Sequence, residues 1–93
     1  MNYWAWGGQY IGFREGDYLF SKKGKPIGVF YDEELFDFHG HYIGETRSDR
    51  LIVSKSKKNR RIASYSKPCN RSGRSYCNYV GNVMIVGYED FSV

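Results

Sequence analysis

The sequence has little of the two residues that most often constrain small domains, with only two prolines and two cysteines among 93 residues. Two cysteines cannot supply the four ligands of a structural zinc site, and they allow at most one disulfide. Apolar runs as long as a membrane-spanning helix requires are also missing, and the mean hydropathy is −0.62. These absences argue against a disulfide scaffold and against a helical membrane protein.

What the sequence does contain is a repeat. Five residues with glycine at both ends and isoleucine in fourth place recur at intervals of 16 residues. The glycine pairs are Gly8 and Gly12, Gly24 and Gly28, and Gly40 and Gly44. An aromatic or leucine pair precedes each block at the same offset, and Leu51-Ile52 begins a fourth unit. So many positions in register indicate true internal repetition.

Each unit consists of two β-prone runs separated by a turn that ends in glycine. Such two-residue turns require positive φ, which glycine adopts freely, so each unit is predicted to be a β-hairpin. The second glycine lies inside the returning strand, which suggests a bulge or a close backbone approach. In the fourth unit, Asn59, Ile62 and Ala63 restore the pattern if the turn is three residues longer.

The fold class predicted from these units is all-β. Four tandem hairpins of about 16 residues each are expected around a pseudo-fourfold axis, as a closed up-and-down array. Turns at roughly eight-residue intervals leave no room for a helix, and hairpins must pack on one another to bury their apolar faces. The C-terminal extension is expected to add a further hairpin around Gly81-Asn82.

The units resemble a known family. Residues 19–29, 35–44 and 51–63, with the closing Gly87-Tyr88-Glu89-Asp90-Phe91, are similar to the bacterial four-fold beta-flower family. The resemblance implies four β-hairpin petals around a pseudo-fourfold axis. It implies no activity and no catalytic residues.

The chain is short enough for one domain. We expect residues 1–65 to form the four-hairpin unit and residues 66–93 to form a basic loop and C-terminal extension packed on the same domain. Residues 64–75 are polar, basic and rich in turn formers, so a surface loop or partly disordered linker is predicted there. The first residues resemble no signal peptide, which favours the cytoplasm.

Charge is distributed unevenly along the sequence, whose formal net charge is +4. Basic side chains flank the glycine turns, whereas acidic ones such as Asp32, Glu33 and Glu34 occupy the alternate links, so a basic rim and an opposite acidic rim are expected. The basic rim is the candidate site for anions or nucleic acid: Lys23, Lys25, Lys57, Lys58, Arg60 and Arg61. The alternative left open is a solvated surface that keeps a β protein soluble.

Other candidate sites are weaker. His39 and His41 could act as acid–base groups, but the sequence nominates no nucleophile or orienting carboxylate for them. Cys69 and Cys77 could form a disulfide or join the histidines around zinc, although two free thiols fit a reducing compartment better. Acid pairs such as Glu33-Glu34 are typical of solvated turns. No catalytic residue, metal site or cofactor is predicted.

The functional prediction is therefore a small non-enzymatic β-repeat interaction module whose protein or peptide partner is unknown. The alternative is binding of nucleic acid or another polyanion through the basic hairpin-turn rim. No enzyme activity and no membrane association are expected, and the sequence leaves the oligomeric state open.

Overall fold

The computed structural model describes residues 1–92, which form eight β-strands and one short 3-10 helix. The first four strands are β1 (Asn2–Ala5), β2 (Tyr10–Glu15), β3 (Tyr18–Ser21) and β4 (Pro26–Tyr31). The remaining strands are β5 (Glu34–Phe36), β6 (Tyr42–Arg47), β7 (Arg50–Ser54) and β8 (Tyr88–Asp90), and the 3-10 helix spans Lys55–Lys57.

All eight strands belong to one antiparallel sheet in which sequence neighbours are spatial neighbours, apart from one closing contact. That contact is parallel and joins β1 to β7, with Trp4 opposite Arg50 and Ala5 opposite Leu51. It closes seven strands into a ring, and β8 pairs with β7 beside it. The predicted all-β, closed up-and-down architecture is confirmed, and closure protects the sheet edges from pairing with other chains.

The glycine pattern has the structural meaning predicted for it. Gly8, Gly24 and Gly40 have the positive φ angles predicted for them, 100°, 87° and 88°. The loops have three residues and not the two expected: Ser21 N donates to Lys25 O across residues 22–24, and Gly24 N donates to Ser21 O. Gly12 and Gly28 lie where the backbone of the next hairpin approaches closely. A Cβ on Gly12 would lie 1.8 Å from the carbonyl oxygen of Phe20, and one on Gly28 would lie 2.3 Å from that of Phe36.

The core contains one repeated position in alternate strands of the ring. Tyr3, Leu19, Leu35 and Leu51 are buried at 16-residue intervals, and Phe91 from the C-terminal end joins the same cluster. This repeated position explains why an aromatic or leucine pair precedes every glycine block. The first member of each pair faces the core, where burial of large apolar side chains supplies most of the favourable free energy.

The fourth hairpin predicted from Asn59, Ile62 and Ala63 is wrong. The strand that returns against β7 is β8, with Ile52 opposite Asp90, and residues 55–87 connect the two. Asn59 does not have the positive φ expected of it, whereas Gly87 does, at 87°. The prediction failed because the pattern points to the nearest matching segment, whereas β8 lies far along the chain. A long connection is possible because loop-closure entropy grows only slowly with loop length.

The further hairpin expected around Gly81-Asn82 is also absent, because residues 62–87 contain no strand. Their backbone groups bond to earlier turns instead. The nitrogen of Asn82, for example, donates to the carbonyl oxygen of Trp6 at 3.0 Å. The backbone groups of this β-prone segment therefore form hydrogen bonds with the ring and not with a partner strand in the same segment.

Candidate functional site

Residues 62–82, here called the strap, run across the three glycine turns in reverse order. At each turn a strap nitrogen donates to the carbonyl oxygen of the positive-φ glycine. The bonds are Ile62 N to Gly40 O at 2.8 Å, Arg71 N to Gly24 O at 2.7 Å and Tyr79 N to Gly8 O at 2.7 Å. The first glycine of every repeat thus has a second role, as a docking point for the strap.

A second bond accompanies each of these contacts. Three residues further along the strap, another nitrogen donates to the carbonyl two residues before the glycine. The bonds are Tyr65 N to Phe38 O at 3.1 Å, Arg74 N to Lys22 O at 2.7 Å and Asn82 N to Trp6 O at 3.0 Å. The ring therefore holds extended polypeptide by the same backbone contacts at three places.

Between the second and third docking points, the strap covers aromatic side chains of the first two hairpins. The Arg74 guanidinium lies 4.0 Å from the centre of the Phe13 ring, and that of Arg71 lies 5.0 Å from the centre of the Phe20 ring. Phe13 and Phe20 stack on each other with centroids 5.5 Å apart. Stacked guanidinium groups over aromatic faces are favourable cation–π contacts.

The same cover continues over Trp4. Tyr79 stacks on the Trp4 ring at 4.1 Å, and the Trp4 indole nitrogen donates to the carbonyl oxygen of Cys77 at 2.8 Å. Tyr76 packs against Tyr10 at 5.2 Å, and burial together with Tyr76 raises the pKa of the Tyr10 phenol. Trp4, Tyr10, Phe13 and Phe20 are all absent from the main core cluster and form a separate aromatic face under the strap.

Residues 80–86, which begin within the third docking point, expose their apolar side chains. Val80, Val83 and Val86 are 88%, 92% and 98% exposed. The backbone between them is nevertheless fixed, because the indole nitrogen of Trp6 donates to Val83 O at 2.9 Å and the Arg50 guanidinium donates to Val80 O at 3.2 Å. The segment therefore presents apolar side chains on a held backbone.

The six residues predicted to form a basic rim are not all free. Lys57 lies 3.2 Å from a carboxylate oxygen of Glu34, Arg60 lies 3.0 Å from the other oxygen, and Lys58 pairs with Glu89. The predicted separation of a basic rim from an opposite acidic rim is therefore wrong at Glu34, which pairs with two residues of the basic set. The reason is that residues 55–61 do not form a hairpin turn, so Lys57 and Arg60 reach a carboxylate assigned to the opposite end.

Lys57 also belongs to a buried polar network. Tyr42 Oη donates to Glu45 Oε1 at 2.9 Å and accepts from Ser54 N at 3.0 Å, and Lys57 Nζ donates to the same Glu45 oxygen at 3.1 Å. Burial, with a further contribution from Glu45, raises the pKa of the Tyr42 phenol well above its ordinary 10.0. Hydrogen bonds to Glu45 and Glu34 raise the pKa of Lys57.

The remaining predicted residues are Lys23, Lys25 and Arg61, which form no ion pair with a carboxylate in the described part of the chain. Arg61 lines a cavity of about 500 Å³ together with Lys58, Arg60 and His41, whereas Lys23 lines a different cavity of about 230 Å³ with Lys22 and Tyr10. The predicted residues other than Lys25 thus line three cavities and not one shared site. Their role in anion binding stays a prediction.

The other candidates show no built catalytic or metal centre. His41 Nδ1 lies 3.7 Å from Asp37 Oδ2, and both groups are partly exposed. Within residues 1–92, no cluster of three or more histidine, cysteine or acidic side chains could hold a metal ion. Cys69 and Cys77 are free and exposed. None of the described helices is long and apolar enough to cross a membrane, and the cytoplasmic location stays a prediction.

Sequence reasoning missed the strap, although the sequence holds a faint signal of it. Arg71-Ser72-Gly73-Arg74 and Tyr79-Val80-Gly81-Asn82 both place glycine third of four, eight residues apart. A Cβ on Gly73 would lie 2.8 Å from Lys22 O, and one on Gly81 would lie 2.6 Å from Gly7 O. These glycines allow close approach to the turns, but their spacing differs from the 16-residue period and was not part of the repeat.

Comparison with known proteins gives one result. A family model described as "4-fold beta flower protein" matches residues 2–79. The match covers the seven-stranded ring and most of the strap. No curated protein and no solved structure matched the chain significantly.

Proposed function

Because the chain belongs to the 4-fold beta-flower family, we propose that it is a small non-enzymatic interaction module built on that fold, and that it binds a protein or peptide partner. The observation that supports the proposal is the exposed apolar segment of residues 80–86. Three valines that point into water on a backbone fixed by Trp6 and Arg50 are costly for an isolated protein. A partner that covers them offsets this cost through burial of apolar surface.

A photo-crosslinking amino acid at Val83 tests this proposal in extracts of the source cells. We expect one discrete adduct that the double variant Val80→Asp, Val86→Asp no longer forms. The same probe at Tyr31, an exposed aromatic residue outside the segment, is the matched control. An adduct of twice the chain's mass identifies a second copy as the partner. The absence of any adduct beyond those formed from Tyr31 contradicts the proposal.

A second candidate function, binding of nucleic acid or another polyanion, is supported by the cationic groups of Lys23, Lys25 and Arg61, which are not neutralised by described carboxylates. Binding of this kind weakens steeply as salt rises, because bound cations are released from the polyanion. Titration of single- and double-stranded oligonucleotides at two salt concentrations tests it. Salt-independent or undetectable binding contradicts it.

A further inference from the structure

The contacts that hold the strap indicate what kind of peptide could bind to the surface beneath it. Its bonds to the three glycine turns are made by backbone nitrogens, so these bonds do not depend on which side chain stands at the docking positions. One strap side chain adds a further bond, since Asn78 Oδ1 accepts from Tyr10 N at 2.9 Å. Ile62, Arg71 and Tyr79, which have very different side chains, make the same bond to their glycines. The glycine turns therefore recognise an extended backbone with two nitrogens three residues apart.

Side-chain selectivity comes from the aromatic face. Arg71 lies over Phe20 and also 3.4 Å from a carboxylate oxygen of Glu15. Arg74 lies over Phe13, and Tyr79 stacks on Trp4. Tyr76 packs against Tyr10 between these positions. The surface thus offers positions for two arginines followed by two aromatic side chains along the peptide.

The close approach of the strap to the glycine turns also restricts which residue can stand at the third position of such a peptide. Gly73 and Gly81 have no room for a Cβ without a shift of the backbone of the turns. A peptide that fits both docking points therefore carries glycine between its two hydrogen-bonding nitrogens.

The strap itself is a loosely held occupant of this surface. Most of its side chains are exposed, and it contains no strand pairing of its own. A segment that buries few side chains and depends on a small number of exposed backbone hydrogen bonds opens at a low free-energy cost compared with global unfolding.

We propose that the aromatic face and the Gly24 and Gly8 turns form a binding surface for an extended arginine-containing peptide of a partner protein. The strap occupies this surface in the free protein, and the partner has the pattern Arg-small-Gly-Arg followed by two aromatic residues. Val83 and Val86 lie outside the strap, and the side chain of Val80, which lies within it, is 88% exposed. Crosslinking from Val83 and binding of the peptide therefore test different side chains.

The experiment uses the full chain with Arg71→Ala and Arg74→Ala, which weakens the strap and leaves its backbone intact. The probe is a synthetic peptide of residues 70–82 with serine in place of Cys77. We expect this peptide to bind the double variant at least tenfold more tightly than the parent chain, in which the strap competes for the surface. Tryptophan fluorescence of the protein, to which the peptide contributes nothing because it contains no tryptophan, and titration calorimetry both report the binding.

Two controls make the result specific. A peptide with valine in place of Gly73 and Gly81 is expected not to bind, and a single-stranded oligouridine is expected not to replace the peptide. If the double variant does not fold, the full-chain variant Gly73→Val, which disturbs one docking point only, takes its place. No binding to a folded variant, equal binding of the valine peptide, or preferential binding of the oligonucleotide would each overturn the proposal.

Discussion

The carbonyl oxygen of Gly24 accepts a hydrogen bond from the nitrogen of Arg71 at 2.7 Å, and a Cβ on Gly24 would lie only 1.8 Å from the carbonyl oxygen of Arg71. The residue that turns the second hairpin thus also holds the strap. Any side chain there meets two obstacles, an unfavourable positive φ and the backbone of the strap.

Substitutions at Gly24 and Gly16 distinguish the cost of positive φ from the cost of disturbing the strap. Both have positive φ, but a Cβ on Gly16 would meet nothing within 4 Å. Gly16→Ala should cost about 1–2 kcal/mol of unfolding free energy, the usual cost of the left-handed region for a non-glycine residue. Gly24→Ala should cost at least about 1 kcal/mol more, because it also breaks a docked hydrogen bond. Thermal and urea unfolding measure both, and equal losses would show that the strap contributes nothing at this turn.

The turns at the other end of the ring give a stabilising prediction. Gly16, Asp32 and Ser48 stand at equivalent positions with φ angles of 59°, 57° and 58°. Serine tolerates this conformation less well than asparagine, whose short polar side chain bonds locally. Ser48→Asn should therefore raise the unfolding free energy by about 0.5–1 kcal/mol, which corresponds to the several-fold enrichment of asparagine at positive φ. Asn59→Gly, at a position without positive φ, is the control and should bring no gain.

Much of the fold could be predicted because glycine and the apolar pairs report backbone conformation and burial directly. Gly8, Gly24 and Gly40 turn the chain as expected, and the strands around them follow. The fourth strand pair could not be predicted this way, since Ala63 matched the local spacing better than Phe91 did. Local spacing carries no information about a partner that arrives after a long connection.

The strap escaped prediction for a different reason. Backbone hydrogen bonds to turn carbonyls leave almost no trace in side-chain chemistry, so Ile62, Arg71 and Tyr79 share no property that marks their common role. The charge pattern of the sequence did not predict where the charged side chains lie in the fold. It placed Lys57 and Glu34 at opposite ends, whereas an irregular connection brings their charged atoms to 3.2 Å.

The Tyr42 network predicts a loss of stability in alkaline solution. The folded state raises the pKa of Tyr42, so above the ordinary value of 10.0 the unfolded chain loses this proton before the folded chain does. Stability is therefore full below pH 10 and falls as the pH rises further. Lys57 acts in the same direction, because its pKa is also raised, from 10.5, and its charged form is stabilised by Glu45 and Glu34.

Tyr42→Phe tests this directly. At pH 7 the variant should be less stable by about 1–3 kcal/mol, since Ser54 N loses its buried acceptor. Between pH 9 and pH 11 its stability should fall less steeply than that of the parent, with the remaining slope due in part to Lys57. Tyr31→Phe, at an exposed tyrosine, should leave the slope unchanged. Identical alkaline slopes for parent and Tyr42→Phe would contradict the assignment.

The last prediction concerns which segment pairs with β7 beside the closed ring. Phe91 is buried in the core cluster, and its ring lies 2.9 Å from where a Cβ of Gly44 would stand. Ile62, the residue that the sequence pattern assigned to the fourth hairpin, is only partly buried. Phe91→Ala should therefore lower the free energy of unfolding by about 3–5 kcal/mol, the usual cost of truncating a buried phenylalanine.

Ile62→Ala should cost clearly less than Phe91→Ala, because less apolar surface is lost and solvent can fill the space. Val86→Ala, at a side chain that is almost fully exposed, should be neutral and serves as the control. Urea unfolding of the three variants at equal protein concentration gives the comparison. If Ile62→Ala proved more damaging than Phe91→Ala, the returning strand against β7 would be residues 59–63 and not β8, and the strap would have to follow a different path.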